Sequence, residues 1–199
     1  MLIYIHGFNS APHSFKARLI GERMRALGRA SEYLVPALPQ RPAEAMTLLR
    51  ELVAQHPGAA LIGSSLGGYY ATWLAERYAL RAVLVNPAVR PYELLRSYLG
   101  PQKNLYTGAE YELTAQHVDE LKALQVAAIT PQRYFLLTRT GDEVLDYRLA
   151  VEKYRGARQR VLPGGDHGFG DFENYLDEVL AFCGISNAAA SNLSGNSVG

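Results

Sequence analysis

Cysteine is almost missing from this chain: of 199 residues only Cys183 carries a thiol. One cysteine excludes an internal disulfide framework and suits a reducing cytoplasm. Cys183 is not placed like a nucleophile and reads as a small, buried apolar residue. An excess of either charge is missing as well, since 20 lysines and arginines face 19 aspartates and glutamates. That balance removes any general attraction for nucleic acid or an anionic membrane and favours a small-molecule partner. A long apolar run is the third absence. The opening MLIYIHGFNS has no basic region ahead of its apolar residues and meets glycine at Gly7, too early for a signal peptide or a membrane span. It reads as structure of the mature chain. What the sequence does hold, 48% hydrophobic and 10% aromatic residues over 199 positions, is enough for one sizeable core, and the chain is too short for two full domains. We therefore expect a single domain over 1–185, located in the cytoplasm.

Short apolar runs alternate with helix-length stretches, the pattern of a parallel sheet covered on both faces. Six runs qualify as strands: Leu2 to Ile5, Glu32 to Leu38, Ala59 to Gly63, Arg81 to Asn86, Arg133 to Arg139 and Gln159 to Leu162. In PAEAMTLLRELVAQH, Ala45, Leu48, Leu49, Leu52 and Val53 recur at spacings of three and four. That is one helical stripe, started by Pro42 and stopped by HPG. Further helices are predicted over Ser14 to Leu27, Gly67 to Tyr78, Tyr147 to Arg155 and Phe172 to Phe182. The stretch 87–132 is longer than a crossover needs; it holds tyrosines at 92, 98, 106 and 111, an LGPQKN break and a helix-like AQHVDELKAL. We expect extra helices there over one end of the sheet, with 88–125 acting as a lid or pocket wall or as packing alone. After Ile185, SNAAASNLSGNSVG is small, polar and without periodicity, so 186–199 are expected to form a disordered tail with no catalytic part.

Gly63-Ser64-Ser65-Leu66-Gly67 fits G-x-S-x-G with Ser65 at its centre. A nucleophile on a very tight strand-to-helix turn brings backbone close on both sides, and larger residues two positions away would collide. The setting agrees with the letters: AALI before the motif is a buried-strand pattern and GGYYATWLAERYA after it is helical. Ser64 is the alternative hydroxyl, but one position earlier it points elsewhere.

A serine hydroxyl needs a base to take its proton as it attacks. Among five histidines, His167 in LPGGDHGFG follows the last strand and could reach across the carboxyl edge of the sheet. His6, ending the first strand, is the second candidate and reads more simply as a loop-fixing group. His13 lies at a loop start, and His56 and His117 read as helix-surface residues. No two of the five show metal-ligand spacing, so a zinc site is not expected. The imidazole needs an acid partner to set its tautomer. Asp142, just past the fifth strand, is the first choice; Asp146 is the alternative and fits a helix cap better. Glu143 is a weaker candidate, and Asp166 stands too near the histidine in sequence to face its ring. The oxyanion of a tetrahedral intermediate needs two donors, for which the N–H of Leu66 and that of Phe8 or Asn9 in HGFNS are the candidates.

The order Ser65, Asp142, His167, with HG following the opening strand, resembles the α/β-hydrolase superfamily, whose triad runs serine, acid, histidine. The segments IYIHGFNSAPHSFKA, IGSSLGGYYATWLAE, NPAVRP, TGDEVLDY and GGDHGF, met in this order over residues 1 to about 185, resemble more narrowly the small bacterial YqiA/YcfP-type esterases. The resemblance implies a parallel sheet, a hydrolase triad of Ser65, Asp142 and His167, and esterase activity. The chain departs from larger hydrolases by opening directly on the strand before the HG loop. A trimmed α/β-hydrolase fold is therefore expected.

Residues and resemblance together predict a serine esterase that works through an acyl-enzyme on a small ester or thioester and requires no cofactor. The same triad would also serve an acyl-CoA thioesterase or an acyltransferase, because pocket walls set the leaving group and acceptor. A non-catalytic binding protein on a hydrolase scaffold is the reading from a different class. The basic stretch EKYRGARQR, with Lys153, Arg155, Arg158 and Arg160, reads as a solvated helix end in preference to a contact for an anionic partner.

Overall fold

The computed structural model describes residues 1–185; the expected tail, 186–199, lies outside the described residues. The strands are β1 (Leu2–Ile5), β2 (Tyr33–Leu34), β3 (Ala60–Ser64), β4 (Ala82–Val85), β7 (Tyr134–Arg139) and β8 (Arg158–Leu162). They form one six-stranded sheet in the order β2-β1-β3-β4-β7-β8, parallel throughout. Helices α1 (Phe15–Ala26), α2 (Pro42–Gln55), α3 (Leu66–Tyr78), α6 (Tyr147–Lys153) and α7 (Leu176–Phe182) make the crossovers and the final cover.

Strand side chains alternate between faces, so each apolar run supplies two cores. Ile3, Ile5, Leu61, Leu84 and Leu136 pack with α2 and α3. Leu2, Tyr4, Ile62, Val83 and Phe135 pack with α1 and α7 on the other face. All ten are essentially inaccessible to solvent, and each such side chain contributes about 1.5–3 kcal/mol through burial. Cys183 packs against the second core; burial pushes its thiol up to about 12. No described helix is long and apolar enough to cross a membrane.

Three expectations need correction. The second strand is not Glu32 to Leu38 but two residues long, pairing Leu2 with Tyr33 and Ile3 with Leu34. Pro36 and Pro39 follow it and lack the N–H that a longer ladder requires. The insertion is not wholly helical. It contains α4 (Pro91–Leu94) and α5 (Ala115–Ala123), but between them β5 (Gly100–Lys103) and β6 (Glu110–Leu113) form an antiparallel hairpin. Gly100 and Pro101 made that segment look like a break. Finally, Arg158 and Arg160 sit on β8, not on a helix end, and both pair with Glu178.

Because every strand of the sheet runs the same way, the turns after β1, β3, β4, β7 and β8 all open at one edge. This is where parallel α/β sheets assemble their sites.

Candidate active site

Ser65 occupies the junction of β3 and α3 with φ +54° and ψ −121°, a conformation that costs an L residue roughly 1–3 kcal/mol. Neighbours hold it there. The Ser65 N–H donates to Val85 O at 3.1 Å, and its carbonyl accepts from Gly68 and Ala88, both at 3.0 Å. Glycine is required around it by close approach. A Cβ on Gly67 would run into the carbonyl of Ile5, and one on Gly63 into that of Gly67. The paired glycines therefore let α3 start pressed against the sheet, with the Ser65 hydroxyl at its tip.

The three residues singled out from the sequence meet at this edge. His167 Nε2 lies 3.1 Å from Ser65 Oγ, and His167 Nδ1 lies 2.8 Å from Asp142 Oδ2. The Asp142 side chain is almost wholly buried, and its other oxygen accepts from the N–H groups of Val144 (2.9 Å) and Leu145 (2.8 Å). Both carboxylate oxygens are thus occupied, which fixes the carboxylate plane toward the imidazole. Phe8 and Leu66 line the same cavity as Ser65 and His167. Their N–H groups have no protein acceptor among the described residues.

The alternatives fall elsewhere. Ser64 ends β3 and makes no bond to His167. His6 is buried beside Gly7; its Nδ1–H donates to Gly7 O and its Nε2 accepts from the Leu38 N–H at 3.2 Å. Burial holds its pKa below the ordinary histidine value. Asp146 caps α6 by accepting from the Arg148 N–H at 3.0 Å. Glu143 accepts from the His167 backbone N–H at 3.0 Å and does not meet the ring. His13 packs edge-on against Tyr106, His56 ends α2, and His117 completes a capping box with Thr114 at the start of α5.

An apolar cavity of 310 Å³ opens beside Ser65, walled by Leu66, Leu94, Leu95, Tyr98, Val144 and Leu145. A further 180 Å³ continues past Leu94 and Val144 toward Leu149. The insertion supplies half of the wall beside Ser65. Glu120 on α5 ties it down, accepting from Arg41 Nε (2.8 Å) and the Ala43 N–H (3.0 Å).

A family model described as Uncharacterised protein family (UPF0227) matches residues 1–184. The chain belongs to that family. Every UPF0227 residue placed at the candidate site lies inside the match. Solved structures agree on the fold. Mouse alpha/beta hydrolase domain-containing protein 10 superposes with a TM-score of 0.66 at 16% identity, covering 92% of this chain and 87% of that one. Est1E from Butyrivibrio proteoclasticus, solved with ferulic acid bound, gives 0.63 at 16% identity, covering 91% and 86%. The esterase domain of a Rhodothermus marinus protein gives 0.63 at 18% identity, covering 90% and 83%. The UPF0227 chain has an α/β-hydrolase fold.

Sequence reasoning missed the residues that hold the histidine loop. Asn86, after β4, has φ +40° and is buried. Its Nδ2 donates to the carbonyls of Asp166 (3.0 Å) and His167 (3.1 Å), while its Oδ1 accepts from the Arg139 N–H at 2.9 Å. The Arg139 guanidinium pairs with Asp171 and stacks 4.8 Å over Phe169. Asn86 opens the NPAVRP segment quoted for the resemblance, but an asparagine directly after a strand marks a turn as readily as a clamp.

Proposed function

We propose that the protein is a serine hydrolase that cleaves carboxylic esters of small molecules through an acyl-enzyme. The observation that carries this reading is the continuous hydrogen-bonded line from Asp142 through His167 to Ser65, with contacts of 2.8 and 3.1 Å. In the first step Ser65 Oγ attacks the carbonyl carbon while His167 Nε2 takes the hydroxyl proton. Asp142 keeps the Nδ1–H oriented and stabilises the imidazolium. The N–H groups of Leu66 and Phe8 receive the developing oxyanion, each such donor supplying about 3 kcal/mol of barrier stabilisation. His167 then gives the proton to the departing alkoxide. In the second step it activates water, which attacks the acyl carbon and releases Ser65.

The acyl limb enters the apolar trough between the insertion and Leu145, so residues 88–125 serve as a pocket wall. On this reading the domain over 1–185 works as one unit in the cytoplasm. A fluorophosphonate probe is expected to label the wild-type protein at Ser65. Ser65→Ala is expected to lose both labelling and turnover of 4-nitrophenyl butyrate. Turnover by the Ala variant at the parent rate would sink the assignment.

A further inference from the structure

A second cavity, of 480 Å³, borders Ser65 and His167, and its wall differs in chemistry from that of the apolar trough. Tyr4, Ser14, Lys16, Ser64, Tyr106 and Asp166 line it. Three features of this wall point to one kind of ligand. The Lys16 ammonium donates to the Gly168 carbonyl at 2.5 Å and stands in no ion pair among the described residues. Burial lowers its pKa to about 8, with the nearby carboxylates of Asp166 and Asp142 acting in the opposite direction, so at neutral pH it remains a cation. The Ser14 hydroxyl is more than nine-tenths buried and has no hydrogen-bond partner. Its neighbour, the Tyr4 hydroxyl, is kept neutral by burial and completes no bond of ordinary geometry with it. Ser14 is also the N-cap of the 12-residue helix α1, whose first turn contains no acidic residue. The first N–H groups of such a helix lack intrahelical acceptors and favour an anion.

An ester carbonyl held at Ser65 sends two limbs away from the reacting carbon. The aliphatic trough suits the acyl limb, which leaves the cavity of Ser14 and Lys16 for the alcohol limb. We propose that this cavity is a specificity site for an oxyanion, carboxylate or phosphate, carried on the leaving alcohol of the substrate. Lys16 supplies the charge and the start of α1 supplies backbone donors, while Ser14 turns its buried hydroxyl from the Tyr4 side toward the ligand. Asp166 is the opposing charge in the same wall, so an anion sits on the Lys16 side of the cavity, away from that carboxylate. The proposal rests on the hydrolase reading above for the position of the scissile bond.

The test uses butyrate esters of three phenols: 4-hydroxybenzamide, which is neutral, 4-hydroxybenzoate and 4-hydroxyphenyl phosphate. The expected result is a kcat/KM higher for an anionic ester than for the neutral one by about tenfold, the worth of one charge-assisted hydrogen bond. Lys16→Met is expected to lower that ratio about tenfold and Ser14→Ala about threefold, while Lys16→Arg keeps most of it. A preference for the benzoate ester assigns a carboxylate; a preference for the phosphate ester alone assigns a phosphate. Equal ratios in wild type and Lys16→Met overturn the anion site and leave the esterase reading intact. If the wild-type protein hydrolyses none of the three and leaves 4-nitrophenyl butyrate intact as well, the esterase reading fails. The site is then judged by titrating Ser65→Ala protein with 4-hydroxybenzoate and with inorganic phosphate. Binding weakened by Lys16→Met supports it, and unchanged binding overturns it.

Discussion

Asp142 and Asn86 act on the same imidazole from two sides, one through the ring and one through the backbone. Asp142→Asn keeps the shape of the side chain, but its amide cannot hold the Nδ1–H tautomer that leaves Nε2 free to accept a proton. The expected loss in kcat is of the order of 10⁴, with KM changed far less, as measured by steady-state ester hydrolysis. Asn86→Ala has a different signature. It strands the buried Arg139 N–H and frees the carbonyls of Asp166 and His167, which costs roughly 2–3 kcal/mol by leaving polar groups unpaired. Urea unfolding should show that loss, and kcat should fall because the histidine loop is no longer held; a variant as stable and active as the parent would remove Asn86 from this role. The contrast explains what was legible. That Ser65, Asp142 and His167 would meet could be read in advance, because the nucleophilic chemistry proposed for them calls for those residue types in a setting of strand, turn and helix. Asn86 could not, because its function lies in which distant carbonyls it reaches.

At the level of elements, the β5–β6 hairpin is fastened to the loop after β1. Tyr111 Oη donates to Asn9 Oδ1 at 2.8 Å, Asn9 Nδ2 donates to Gln102 Oε1 at 3.3 Å, and the Leu105 N–H donates to Asn9 O at 3.2 Å. Asn9 itself has φ +52°, and Phe8 packs edge-on to Tyr111. The insertion therefore bears on the segment that carries the Phe8 N–H, and on the proposed hydrolase reading Tyr111 is a positioning residue for that donor. Tyr111→Phe removes one hydrogen bond worth about 1 kcal/mol. We expect kcat to fall about threefold to tenfold, since a donor aimed at the transition state is misplaced, with KM little altered. A change in KM alone would make Tyr111 part of the acyl wall instead. The six sheet strands and the helices around them were visible as apolar runs and stripes, to within a few residues except for β2. The hairpin was not, because GPQK and EYEL carry almost no apolar signal. Their pairing is fixed by contacts with Asn9 and the domain beneath.

Across the whole molecule, the chain must return from the insertion to the sheet, and Glu76 on α3 secures that return. Its carboxylate accepts from the Thr130 N–H (2.7 Å), the Thr130 hydroxyl (2.9 Å), Arg133 (3.0 Å) and the Tyr134 hydroxyl (2.7 Å). These bonds join the last turn of one crossover helix to the segment that leads into β7 and to its first residue, linking positions more than fifty residues apart in sequence. Burial alone would raise the Glu76 pKa, but the three hydrogen bonds from Thr130 and Tyr134 and the Arg133 charge outweigh it and the net shift is downward. A carboxylate whose pKa is lower folded than unfolded binds fewer protons in the native state over the interval between the two values, so stability rises with pH there. The contribution of Glu76 is therefore complete above the ordinary glutamate value of 4.5 and is lost as pH falls through the native one. Glu76→Gln should lower stability at pH 7 by about 2 kcal/mol, the scale of a half-buried charged hydrogen-bond cluster. The deficit should shrink as pH drops from 5 toward 3, because the wild-type carboxylate is then protonated as well. Glu120 and Glu178 also have lowered pKa values, so both proteins weaken in acid and only their difference reports on Glu76. Urea midpoints measured for the pair across that range decide it: a gap that stays constant down to pH 3 would show that this clasp acts through shape and not through charge.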